Sequence, residues 1–137
     1  MATLTDAQLT EMEQAAVELA RAAGRILLGY FSGPLQVDFK SENNRNPVTD
    51  ADHAADAYLR DELARRFPEH GVLTEEATDA PDTASEVMWV IDPLDGTSNF
   101  LNGLPVFGVL IAALERGVPV VAAIFLPSIA DPEGVVL

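Results

Sequence analysis

Residues 89–100 read WVIDPLDGTSNF. An apolar run breaks into two aspartates, Asp92 and Asp95, with Pro93 and Leu94 between them and Gly96-Thr97-Ser98-Asn99 behind. Nothing basic stands nearby in the chain, the nearest Lys or Arg being Arg66 on one side and Arg116 on the other. Val87 to Ile91 reads as a continuous apolar strand buried on both faces. Pro93 fixes its own φ and biases Asp92 toward extended geometry, so the chain is expected to turn directly after the strand and bring the two carboxylates toward one point. Converging carboxylates repel unless protonated or bridged by a cation, and hard oxygen ligands of this type suit Mg²⁺. The Gly-Thr-Ser-Asn stretch has the composition of a helix N-terminus, where backbone N–H groups and the helix dipole hold a phosphate. Carboxylates for a metal beside a cradle for an anion point to phosphoryl transfer or phosphate hydrolysis. An Asp-Pro-x-Asp-Gly turn is also good turn chemistry in its own right, and on spacing alone both readings stand.

The bulk composition agrees with a folded chain of one domain. It has 137 residues, 48% of them hydrophobic, enough to bury a core. Eight basic against 22 acidic residues give a net charge of −14, which disfavours a nucleic-acid backbone or an anionic membrane as partner and suits bound divalent cations. With no cysteine, disulfides and zinc–thiolate sites are excluded and an intracellular setting is the default. MATLTDAQLT at the start is polar and acidic, unlike a signal peptide, and no uninterrupted apolar stretch reaches the length of a membrane span, so a cytoplasmic location is expected.

Thr5 with Gln8 forms a capping-box start, and Leu9, Met12, Ala16, Leu19, Ala23, Ile26, Leu27 and Tyr30 recur at helical spacing until Gly33-Pro34. LQVDFK (35–40) alternates like a short strand, and SENNRNP (41–47) is turn-forming. A second helix is expected to start at Thr49, with Asp52 completing its capping box, and to run along Ala55, Tyr58, Leu59, Leu63 and Phe67 to Pro68. Gly71-Val72-Leu73 is a brief apolar run delivering Thr74-Glu75-Glu76, and ATDAPDTAS (77–85) reads as a surface loop. VFGVLIAAL and VPVVAAIFL flank Glu115-Arg116-Gly117, a hairpin whose Gly takes the left-handed position. Helices first and strands later predict an α+β layered fold without an internal repeat or a dividing linker.

Spacing removes several rivals. DPLDG lacks the alternating acids of an EF-hand loop, no G-x-x-x-x-G-K-[ST] or G-x-S-x-G occurs, and acids three apart differ from the haloacid-dehalogenase pattern. What remains resembles the inositol monophosphatase family, among the Mg²⁺-dependent, lithium-sensitive sugar phosphatases. WVIDPLDGTSNF resembles its signature, PVTDADHAADAYL (47–59) is similar to its Val-Thr-x-x-Asp helix start, and GVLTEEA (71–77) to its Gly-Glu-Glu segment, in the family's order.

The resemblance implies the N-terminal portion of a helix/sheet sandwich of the inositol monophosphatase and fructose-1,6-bisphosphatase type. It implies that Glu75, Asp92, the carbonyl of Leu94 and Asp95 ligate Mg²⁺, and that Asp95, Gly96, Thr97 and Ser98 meet the substrate. Thr97 would orient the attacking water, Asp52 would hydrogen-bond Thr97, and Glu76 would assist. The implied reaction is direct attack of a metal-activated water on a small phosphate monoester, inositol monophosphate first, with histidinol phosphate, fructose 1,6-bisphosphate and adenosine 3′,5′-bisphosphate as alternatives. A homodimer is expected. Lys40, the only lysine, falls near the family's active-site loop but reads equally as a solvated residue, and His53 and His70 read as surface residues without chemistry. Two departures stand out. Thr74 replaces the Gly before the glutamate pair, and the resemblance leads one to expect that the single domain spanning 1–137 lacks the family's C-terminal half, including an aspartate in a Trp-Asp segment; here the only Trp is Trp89. Strands in 106–126 would then lack their usual cover. The rival expectation is a truncated, catalytically weak or inactive paralogue serving as a metal-binding or dimerisation module.

Overall fold

A computed structural model describes residues 3–31, 47–74, 85–127 and 135–136, the side chains of 47–49 and 135–136 excepted. The strand expected at LQVDFK, the end of the first helix at Gly33-Pro34, Lys40 and most of the 77–85 loop lie outside these residues. Helix α1 spans Asp6–Tyr30, α2 Pro47–Arg66 and α3 Thr97–Leu101; strands are β1 Gly71–Thr74, β2 Val87–Asp95, β3 Gly108–Glu115, β4 Val118–Leu126 and β5 Val135–Val136. Among the described residues the strands form one sheet in chain order, β1 parallel to β2 and every other pair antiparallel. Helices α1 and α2 lie side by side on one face of it, α1 over β3 and β4, α2 over β1 and β2. This is the α+β layered arrangement expected.

The start of α1 is the predicted capping box: Gln8 N–H donates to Thr5 Oγ1 at 3.1 Å and Thr5 N–H to Gln8 Oε1 at 2.8 Å. The start of α2 differs from expectation. It begins at Pro47, so Thr49 is the third helical residue and not the cap; proline suits a first turn because its missing N–H would have had no partner there. Arg66 closes α2 and clasps it to α1, its guanidinium reaching both Glu18 oxygens at 3.0 and 3.1 Å and Glu62 at 3.1 Å. Hydrogen bonding to Arg66 holds the Glu18 carboxyl below its usual range and raises the guanidinium's pKa in turn. Exposed pairs add little stability, so the clasp chiefly sets how the helices lie together.

The core lies between helices and sheet. Met12, Leu19, Ala23 and Leu27 of α1 and Leu59 and Leu63 of α2 meet Trp89, Ile91, Val109, Ile111, Ala123 and Phe125 of the sheet. Gly24 lets α1 approach β4 closely, since a Cβ there would overlap the Phe125 ring. The other face of the sheet is apolar and open: Val90 and Ile124 are each 37% exposed and Leu126 41%. The expectation that β2 is buried on both faces is therefore corrected. Strand side chains alternate, helices cover only one side, and among the described residues no element covers the other.

The hairpin between β3 and β4 is as expected, with one addition. Arg116 (φ 50°) and Gly117 (φ 84°) are both left-handed, the requirement of a two-residue turn matched to strand twist. His70 is not the idle surface residue expected. It is half-buried, its ring stacks on Phe67 at 5.0 Å between centroids, and its Nδ1 accepts the indole N–H of the fully buried Trp89 at 3.0 Å. Burial lowers the His70 pKa, with the Glu69 carboxylate pulling weakly the other way.

Two outcomes are expected. A base whose folded pKa is depressed binds its proton more readily when unfolded, so stability falls as pH drops below the ordinary histidine value near 6.5 toward the lowered folded value. Urea titrations between pH 7.5 and 5.5 should record this loss, and His70→Asn, which keeps an acceptor without titrating, should flatten it. Gly24→Ala should cost about 1–3 kcal/mol by overpacking against Phe125, read from the same titrations at pH 7.5.

Candidate active site

The two aspartates of the opening motif sit on a strand, not in the turn expected to follow one. Strand β2 continues through Pro93 to Asp95. Its pairing with β3 runs Asp92↔Leu110 and then Asp95↔Gly108, three steps on β2 against two on β3, so one extra residue is inserted between the aspartates. This β-bulge decides the geometry. Residues three apart on a regular strand point to opposite faces, whereas the inserted residue restores Asp95 to the side shared by Asp92, Leu110 and Gly108. Pro93 and Leu94 turn inward and are buried, leaving Asp92 half-buried and Asp95 exposed. Proline within a paired strand is characteristic of bulges, and Pro119 beside the second irregularity, between Ala113 and Leu114, repeats the rule. Pro93 was thus the sequence signal for a bulge.

Gly96 follows with φ 85° and heads α3. A Cβ there would come within 2.8 Å of the Val106 carbonyl oxygen and 3.2 Å of Phe107 Cα, so position 96 accommodates only glycine without strain. The loop it abuts is tied back by Asn99, whose Nδ2 donates to Val106 O at 2.9 Å, and by Asn102, whose Nδ2 donates to Ser98 O at 2.8 Å. Beneath α3, Phe31, Phe100 and Phe107 form a triangle with centroids 4.9–5.6 Å apart, joining the end of α1 to α3 and the start of β3. None of these supports was anticipated from sequence. Thr97 and Ser98 are exposed at the head of the helix.

Asp52 lies on α2, the helix that touches both β2 and α3, with its Oδ1 sealed from solvent. Asp56, one turn on, is buried and accepts the Thr74 hydroxyl. Asp92 lines a groove of about 550 Å³ on the open sheet face, with Thr74, Leu73, Val90, Leu110 and Ile124. Its charge therefore stands among apolar walls, where attraction for a cation is less screened than in water. Glu75 and Glu76 lie outside the described residues, and among the described residues no three carboxylate or imidazole groups gather closely enough to hold a metal ion. What the described part contains fits such an ion by donor chemistry, two carboxylates and the bulged backbone at Leu94 being hard oxygen donors, with the glycine-only approach at 96 beside them. His53 is exposed, as expected.

Comparison with known proteins agrees with the geometry. The sequence profile of the inositol monophosphatase family matches residues 8–133. The chain is 38% identical over 112 residues to the Nus factor SuhB of Escherichia coli (strain K12), covering 82% of this chain and 42% of that protein. It is 41% identical over 97 residues to the histidinol-phosphatase of Mycobacterium tuberculosis, covering 71% and 37%. An inositol monophosphatase from Anabaena superposes with a TM-score of 0.71 at 36% identity, over 86% of this chain and 40% of that one. The chain thus spans about two fifths of the length of these relatives.

Gly96→Ala should strain the turn by about 1–2 kcal/mol, before any shift of the Val106–Phe107 backbone. A thermal melt lowered by several degrees is the expected result.

Proposed function

Since the chain belongs to the inositol monophosphatase family, we propose that it hydrolyses a small phosphate monoester with Mg²⁺, inositol monophosphate first among candidate substrates. The observation supporting this most is the bulge that sets Asp92 and Asp95 on one sheet face directly before the Gly96 turn. In this reading Asp92, Asp95, the Leu94 carbonyl and Glu75 hold the cation. When bound, the cation supplies Lewis-acid polarisation and lowers the pKa of an attacking water. The chain's own residues do the rest. Backbone N–H groups of Gly96 and Thr97, with Ser98 beside them, position the ester's phosphate; the Thr97 hydroxyl, held by Asp52, orients the water; and Glu76 assists in removing its proton.

Histidinol phosphate is the first alternative, because relatives named histidinol-phosphatase match 86% and 71% of this chain. Fructose 1,6-bisphosphate and adenosine 3′,5′-bisphosphate follow from the superfamily resemblance alone. A second reading, a module that binds the cation without turnover, is kept because the chain spans about two fifths of the length of its relatives. With a net charge of −14 the proposal includes neither nucleic acid nor a lipid surface as partner. It includes a cytoplasmic location and a homodimer, the latter checked by sedimentation velocity. Among the described residues no helix is long and apolar enough to cross a membrane.

Phosphate release from inositol monophosphate, measured with and without Mg²⁺, tests the reading. Turnover should require the metal, and Asp92→Asn should lower it by at least about 100-fold with the circular dichroism spectrum unchanged. Mg²⁺ binding without phosphate release would favour the module.

A further inference from the structure

Thr74, the last residue of β1, makes a buried contact with α2. Its hydroxyl donates to Asp56 Oδ1 at 2.6 Å, a short bond of the charge-assisted kind. Both residues are buried, Thr74 at 4% and Asp56 at 8% exposure. The other Asp56 oxygen pairs with Arg60 Nε at 3.0 Å, one turn further along α2. A glycine at 74 would offer no donor, so the contact depends on the threonine side chain.

The contact joins the elements that carry the candidate site. Asp56 lies four residues after Asp52, so the two acids stand on one face of α2. Thr74 ends β1 and pairs with Ile91, so that strand end lies alongside Asp92 on β2, and Thr74 and Asp92 line the same groove. Neighbouring inward positions of α2, Ala55 and Leu59, are fully apolar. A buried carboxylate among them carries a desolvation cost, and an ion pair to Arg60, whose side chain is 42% exposed, contributes little against it. What a short bond between fixed partners adds over a methyl contact is a defined distance between helix and strand.

We propose that Thr74, Asp56 and Arg60 form a positioning latch for the candidate active site, locking the Asp52 face of α2 to the end of β1 beside Asp92. What is positioned rests on the phosphatase reading above; the latch itself rests on the hydrogen bond and ion pair. Asp56 and Thr74 are positioning residues and do not themselves touch substrate.

The test compares Thr74→Val, which keeps the shape and removes the donor, with Thr74→Ser, which keeps the donor. In metal-free protein, hydrogen–deuterium exchange of amides in 71–74 and 52–56 should rise roughly tenfold or more in Thr74→Val, as expected for losing a hydrogen bond to a charged group, and stay near the wild-type rate in Thr74→Ser. Mn²⁺ affinity, read by electron paramagnetic resonance as a stand-in for Mg²⁺, should weaken severalfold in Thr74→Val and recover in Thr74→Ser. If Thr74→Val does not fold, Asp56→Asn, which keeps an acceptor but loses the Arg60 ion pair, is read by the same two measurements. Unchanged exchange would overturn the latch whatever the metal does. Raised exchange with unchanged Mn²⁺ affinity would overturn its positioning role. Wild-type protein that binds no Mn²⁺ would instead overturn the phosphatase reading, and with it the object of the latch.

Discussion

Side chains on a strand alternate between faces, and β2 must satisfy that rule while burying Trp89, Ile91 and Pro93 against the helices. Every other feature of the candidate site is a consequence. Burying the odd-numbered residues sends Val90 and Asp92 to the open face. The residue inserted between Asp92 and Asp95 then prevents the second carboxylate from following the alternation into the core side. Without it Asp95 would face apolar residues, where an unpaired charge is costly. Proline, with no N–H to give to a ladder, is compatible with the disrupted pairing.

Around that strand the supports are local and chemically varied. Aromatic packing of Phe31, Phe100 and Phe107 seats α3; the Arg66 clasp to Glu18 and Glu62 aligns the two long helices; the His70–Trp89 hydrogen bond and the Thr74–Asp56 bond tie the parallel edge of the sheet to the centre and to α2. The buried hydrogen bonds differ from the surface clasp in what their loss would cost, because a buried donor or acceptor deprived of its partner pays its full desolvation. The site is therefore anchored most firmly on its β1 and α2 side.

The open face of the sheet combines an apolar groove with, among the described residues, a single carboxylate, Asp92, in its lining. A charge at the margin of a low-dielectric surface attracts a counter-ion more strongly than one in bulk water.

Much was legible in the sequence because it depends on short-range chemistry. The capping box at Thr5, the apolar stripe of α1, the hairpin at Arg116-Gly117 and the α+β class follow from spacing and residue type, and the three acidic motifs were sufficient to indicate the family. The start of α2 is not legible in the same way, because Thr49 offers a cap as good locally as Pro47, the residue that begins the helix. What only the tertiary structure decided are the features that need a partner strand or helix. These are the register that makes Asp92 and Asp95 neighbours on one face, the one-sided cover of β2, the burial of His70 against Trp89, and the pairing of Thr74 with Asp56 across eighteen positions of chain. Pattern along a chain reports which side a residue prefers, whereas pairing register and burial are settled only when a second element arrives to supply the hydrogen bonds and exclude the water.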